Sequence, residues 1–258
     1  LFPNNKRKRK KWDFVFWESY ISRVCKDKSS KIILMKVSTP AIVLKTTLFK
    51  ESSLIARLFT LEKGKNSYVI KSAMSQKSPL KSIYQQINEI EVNYTHNNKR
   101  QLQPIYDSKL LNGWNSINFD LKKMMLCLSI IEMIDRGFDE GDRDTETYYL
   151  LKNVLHYFDL EHKGYNDAFY FFVLHFLKNI GYNVIEAKEH PIVKSYLSQD
   201  QKLLQQLKEI YISNFLEEKN KKHIFNYNKK IMASFISDLI RYHLPDIKSF
   251  AVAKEIFQ

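Results

Sequence analysis

The sequence predicts an α+β protein: a small closed barrel of five short strands, followed by an irregular helical bundle. Three observations carry this expectation. Between Ser38 and Tyr106, short apolar and β-branched runs are broken by turn residues; beyond Asn112-Gly113 the apolar spacing becomes helical; and no internal repeat is present. The 258 residues, 44% of them hydrophobic, suffice for one good core or two modest ones.

Residues 1–34 read as a basic extension, disordered or non-native. They contain the unbroken run Lys6–Lys11 and no methionine before Met35, which reads as the natural start. The competing reading is a basic arm that grips nucleic acid. Residues 35–110 are assigned to the barrel and 111–258 to the helical domain. Ala41–Leu48 is the first strand, ended by Lys50-Glu51-Ser52-Ser53, and Leu54–Thr60 is the second. Glu62-Lys63-Gly64-Lys65 forms a hairpin turn in which Gly64 supplies positive φ. Asn66–Lys71 is the third strand, and Ser72–Lys81, with Pro79, is a loop. Ile90–Thr95 alternates with period two and Leu102–Tyr106 completes the set, so closure would remove exposed edges.

The first long helix is expected over Phe119–Ile134, with Asn118 as N-cap and Gly137 as its stop. Its apolar stripe is Leu121, Met124, Met125, Leu128, Ile131 and Ile134. Thr145–Phe158, Ala168–Ile180, Gln201–Phe215 and Ile231–His243 follow, the last with Ile231, Phe235, Leu239 and Tyr242 along one face.

Charge narrows the function. The chain has 41 Lys+Arg against 28 Asp+Glu, a net +13, of which residues 1–34 hold +7. Such an excess is the footprint of a polyanion binder. Cys25 and Cys127 are too few for a disulfide framework or a cysteine zinc site, and Cys127 reads as a core residue. The longest apolar runs, such as Phe169–Leu177, are too short to span a membrane, and a cytoplasmic protein is expected. Six scattered glycines exclude a phosphate-cradling loop, and Gly64-Lys65 lacks the rest of a P-loop. The seven histidines never pair at metal-ligand spacing, and His175 reads as a hydrogen-bonded core histidine. Asp139, Glu140, Asp142 and Asp144 read as a solvated turn. The alternative is a two-metal nuclease using Asp139, Asp142 and Asp144. No enzyme, cofactor or metal is expected.

The candidate binding residues lie in the barrel. Arg57, Lys63, Lys65, Lys71, Lys77 and Lys81 fall on strands two and three, their hairpin and the following loop, where small barrels commonly track a nucleic-acid backbone. Tyr68 and Phe59 could stack bases, and core packing is the competing role, stronger for Phe59.

These residues resemble a known family. Ala41–Thr46, Lys50–Leu54, Leu58-Phe59-Thr60, Glu62–Lys65, Val69–Ala73 and Lys77–Leu80 look like the N-terminal domain of the bacterial RecO family. Phe172 and Leu177 with Ile180-Gly181-Tyr182, then Leu239–Leu244 with Ile247-Lys248-Ser249, resemble its helical domain and closing helix. The resemblance spans about residues 36–250 in order. It implies an OB-fold barrel, binding of single- and double-stranded DNA, strand annealing, and work with RecR in loading RecA at gaps in the nucleoid. It also implies contact with the acidic tail of single-stranded-DNA-binding protein. The four zinc-holding cysteines of many members are missing here, so no metal is expected. Tyr170 and Phe171 stand where some members carry basic residues for the tail, which leaves Arg241 and Lys248 as weaker substitutes. A protein adaptor with a purely structural barrel is the alternative function.

Overall fold

A computed structural model describes residues 34–97, 99–100, 102–160, 164–213, 225–245 and 247–249. The basic extension before Leu34, with Cys25, lies outside them, as does the expected end of a helix at Phe215.

Strand β1 (Leu34–Phe49) starts seven residues before the predicted Ala41. Its first half pairs with β4 (Glu89–Asn97) and its second half with β2 (Ser53–Thr60), both antiparallel. The apolar run Ala41–Leu44 lacks alternation because this strand is a shared wall. Ala41 and Val43 point into the barrel beside Leu58, Tyr68 and Val92. Ile42 and Leu44 point the other way, into the core of the helices. A strand buried on both faces needs apolar side chains at every position.

β3 (Gly64–Ile70) forms a hairpin with β2, and β5 (Gln103–Asn112) pairs antiparallel with β4 and parallel with β3. The order β1-β2-β3-β5-β4 closes back on β1, with the β3–β5 join the shortest, at three register pairs. The fold is thus a five-stranded OB-like barrel followed by helices. β5 runs on past the predicted Tyr106 to Asn112, because the polar residues Asp107–Lys109 still ladder onto β4. The predicted loop at Ser72–Lys81 leads into a short helix, α1 (Leu80–Ile83).

The remaining helices are α2 (Asn115–Phe119), α3 (Leu121–Gly137), α4 (Thr145–Leu160), α5 (Tyr165–Asn179), α6 (Pro191–Gln199), α7 (Leu203–Ile212) and α8 (Lys229–His243). Asp120, not Asn118, caps α3, accepting from the backbone N–H groups of Lys122 and Lys123. Asn118 lies inside α2 and donates to the Gly113 carbonyl. The buried face of α3 is also rotated from the predicted stripe. Leu126, Cys127, Ile130, Ile131, Met133 and Ile134 are buried, while Leu121 is 62% exposed. Lys123 joins the buried face by donating to Ser116 Oγ at 2.9 Å.

On α8 the buried face is Met232, Phe235, Ile236, Leu239 and Ile240, and Tyr242, predicted inward, is exposed. Cys127 is fully buried, and desolvation pushes its thiol far above the ordinary range. His175 shares a hydrogen bond with the Tyr211 carbonyl at 2.9 Å and stacks on that ring, and burial lowers its pKa.

Barrel and bundle are joined through packed residues. Phe59 is fully buried, as the core reading expects, but in the helical core: its ring lies 5.4 Å from Phe138 and 6.3 Å from Tyr148. Glu89, buried at the base of β4, pairs with Lys152 Nζ at 2.8 Å and also accepts from Tyr148 and Asn112. Among the described residues no helix is long and apolar enough to cross a membrane.

Candidate nucleic-acid interface

The β2–β3 hairpin carries three of the sequence candidates, Arg57, Lys63 and Lys65, and its outer face is covered. Arg57 Nη1 lies 3.0 Å from both carboxylate oxygens of Asp135 at the end of α3. Lys65 Nζ donates to the Asp135 carbonyl at 2.6 Å. The acidic turn between α3 and α4 then lies along the hairpin. Gly141 N–H donates to the Lys65 carbonyl at 2.7 Å, and Ser67 N–H donates to Glu140 Oε1 at 3.2 Å.

Gly64, at φ +63°, permits this approach: a Cβ there would sit 1.7 Å from the Asp142 carbonyl oxygen. Arg57 and Lys65 are thus engaged with protein carboxylate and carbonyl groups, while the Arg57 side chain stays 43% exposed. Lys63, at the hairpin tip, remains exposed.

The acidic turn is solvent-exposed from Asp139 to Arg143, as expected, and it also docks on the barrel. Its carboxylates are engaged locally: Asp142 Oδ2 accepts from Asp139 N–H at 3.1 Å and Asp144 Oδ1 from Thr147 N–H at 2.8 Å. Among the described residues no three metal-capable side chains converge.

Tyr68 also changes role. Alternation along β3 turns it inward, where it is 1% exposed and meets Tyr94 edge-on at 5.0 Å. Desolvation drives its hydroxyl far above the ordinary tyrosine range. No base can reach this ring, so it is a core residue.

The other three candidates, Lys71, Lys77 and Lys81, lie together on the β3–β4 connection and are exposed. This segment is anchored by Met74 N–H, which donates to the Ser52 carbonyl at 2.9 Å, and so sits against the β1–β2 turn. That turn adds exposed Lys50, whose Nζ lies 5.4 Å from the centre of the Phe49 ring. Among the described residues, none of these four lysines is in an ion pair.

Two grooves border the segment. One, of about 380 Å³, is lined by Leu48, Leu54, Met74, Lys81 and Tyr84, with Leu48 61% exposed. The other, of about 290 Å³, lies between Lys71, Leu80 and the start of β5. Beneath them Tyr84 and Ser108 share a hydrogen bond of 2.6 Å, and burial pushes the Tyr84 hydroxyl up to about 12.

The second groove contains Tyr106, 62% exposed, which sequence reasoning took only as the end of a strand. Tyr106 sits at a β-bulge, where Asn93 and Tyr94 pair with Asp107 and Ile105, a feature that only the pairing of β4 with β5 reveals. In the helical domain Arg241 and Lys248 are both exposed. Arg241 leans on Asp238 at 3.5 Å, and the Lys248 backbone N–H donates to Glu132 at 3.2 Å. Tyr170 is buried, with its ring 6.0 Å from that of Tyr227.

Comparison with known proteins gives two family matches. Residues 35–114 match the family described as recombination protein O N terminal, and residues 118–189 match recombination protein O C terminal. A DNA repair protein RecO of Flavobacterium psychrophilum is 25% identical over 242 residues, covering 86% of this chain and 100% of that protein. One from Flavobacterium johnsoniae is 26% identical over 57% of this chain and 63% of its own length. One from Caldanaerobacter subterraneus is 34% identical over 46% of this chain and 47% of its own.

Proposed function

This chain belongs to the RecO family of DNA repair proteins, and we propose that it acts as a non-catalytic recombination mediator. Family membership gives it a part in DNA repair and recombination. In the reading proposed here, the barrel (residues 35–110) binds single- and double-stranded DNA and the chain anneals complementary strands. With RecR it helps load RecA at gaps, in the bacterial cytoplasm at the nucleoid. The helical domain (residues 111–258) receives the acidic tail of single-stranded-DNA-binding protein, with Arg241 and Lys248 as its cationic contacts.

The observation that carries this reading is the cluster of exposed, unpaired Lys50, Lys71, Lys77 and Lys81 at one end of the barrel. OB-folds commonly take oligonucleotides on the face of strands two and three and on the β1–β2 and β4–β5 loops. Lys50 stands on the β1–β2 turn, and Met74 N–H holds the β3–β4 connection against that turn. Annealing needs no catalytic group. Lysines that neutralise phosphates on two strands lower their repulsion, and stacking of about 1.4 kcal/mol per base-pair step then drives pairing.

Fluorescence anisotropy with single-stranded DNA across a salt series tests the proposal. Four phosphate contacts at about 0.7 each give a log–log slope of about −3. Lys71→Glu, Lys77→Glu and Lys81→Glu together should weaken binding and flatten the slope by about 2. The series is run with Lys6–Lys11 changed to alanine, because that run binds polyanions regardless of the barrel. A slope near zero, or one indifferent to the triple reversal, refutes the assignment.

A further inference from the structure

We propose that Tyr106 is a stacking platform for one unpaired nucleobase of single-stranded DNA, with Lys71 holding the phosphate beside it. The inference rests on the basic barrel end as the DNA site and gives that site its preference for unpaired strands. The β3–β5 join sets the geometry. Ile70 and Ile105 are register partners and both point into the barrel core. Tyr106 follows at a β-bulge, where Asn93 and Tyr94 pair with Asp107 and Ile105 and leave it without a partner on β4, and Lys71 follows the last residue of β3. Both line one groove, so Lys71 and Tyr106 stand side by side.

Between them runs the groove of about 290 Å³, walled by Leu80, Pro104 and the Tyr106 ring, with room for a planar heterocycle. Tyr106 is 62% exposed, and among the described residues its ring meets no other aromatic ring or cation. An open π-face next to an unpaired ammonium is the combination that takes a base and its phosphate together.

Asp107 sets the polarity. It lines the same groove and is held by Asn93 Nδ2 at 3.2 Å, so that side repels phosphate. The sugar–phosphate backbone is thus placed on the Lys71 side, with the base directed toward β5. In a duplex every base except those of the two end pairs is stacked on both faces, so along the duplex the ring has nothing to accept. A base held here is unpaired and becomes free to leave when its complement arrives, which suits annealing.

The test uses the full chain with a single-stranded oligonucleotide and a duplex of equal length. Tyr106→Ala should weaken single-strand binding about 5- to 150-fold, the range spanned by base–aromatic stacking, and change duplex binding less than about twofold. Tyr106→Trp should restore binding, and its added fluorescence, relative to the parent, should be quenched by the single strand and not by the duplex. Lys77→Glu with Lys81→Glu should weaken both ligands.

If Tyr106→Ala leaves single-strand binding unchanged, or weakens both ligands equally, while the lysine reversals still act, stacking is refuted and the basic barrel end stands. If the lysine reversals change neither ligand, the binding site itself is misplaced and the stacking inference falls with it. Tyr106 is exposed, so thermal unfolding of each variant should match the parent.

Discussion

Changing Arg57 to alanine should lower the stability of the protein and leave its DNA affinity intact. The Arg57 guanidinium touches both Asp135 oxygens at 3.0 Å, with the two side chains 43% and 17% exposed. A fully exposed pair would contribute about 0–1 kcal/mol. Hydrogen bonds to charged groups contribute about 1.5–3 kcal/mol, and the loss leaves a half-buried Asp135 without this partner. An intermediate cost of about 1–2 kcal/mol follows, which for a chain of this length lowers Tm by about 2–8 °C. Thermal unfolding by circular dichroism reads the stability, and anisotropy with single-stranded DNA reads the affinity, which should stay within about twofold. Asp135→Asn should give a comparable loss of Tm, and the double variant less than the sum, because both remove one contact. A tenfold loss of DNA affinity in Arg57→Ala with an unmoved Tm would refute the covered-hairpin account.

Three further outcomes follow from the same contacts. Gly64→Ala forces a methyl group to within 1.7 Å of the Asp142 carbonyl oxygen at a positive φ, and should cost about 2–4 kcal/mol, measured by denaturant unfolding. Phe59→Ala should cost about 3–5 kcal/mol and loosen the contact between barrel and bundle, visible as faster amide exchange in both β2 and α4. Burial pushes the Glu132 carboxyl up, but hydrogen bonds from Ser249 Oγ and the backbone N–H groups of Ser249 and Lys248, with Arg136 nearby, outweigh it and hold its pKa below the ordinary range. A carboxyl with a depressed folded pKa adds stability above about pH 4.3, lost as pH falls through the folded value. A pH series from 6 to 2 should therefore show an acid-side loss of stability that Glu132→Gln reduces.

The division between what was legible and what was not follows the range of the forces involved. Local physics placed the five strands, the hairpin at Gly64, the helix end at Gly137, the core role of Cys127 and the hydrogen-bonded state of His175. Each depends on neighbours within a turn or two, or on burial that an apolar helix implies. Family motifs then identified the type of protein, because their order along the chain is itself sequence information.

Facing directions were different. The stripe on α3 is rotated because that helix packs on both the barrel and α5, and Tyr242 is exposed because only part of α8 meets the bundle. The same limit governs the candidate site. A cationic or aromatic side chain looks the same in sequence whether it meets phosphate, a distant carboxylate or the inside of a barrel. Contacts across 78 residues hold Arg57 on Asp135, closure of the barrel buries Tyr68, and the β3–β5 register brings Tyr106 beside Lys71. Composition and periodicity thus determined that the chain is a basic barrel joined to a helical bundle. Which of its lysines and rings remain open to a ligand was decided only by tertiary packing, because that depends on which surfaces the fold covers.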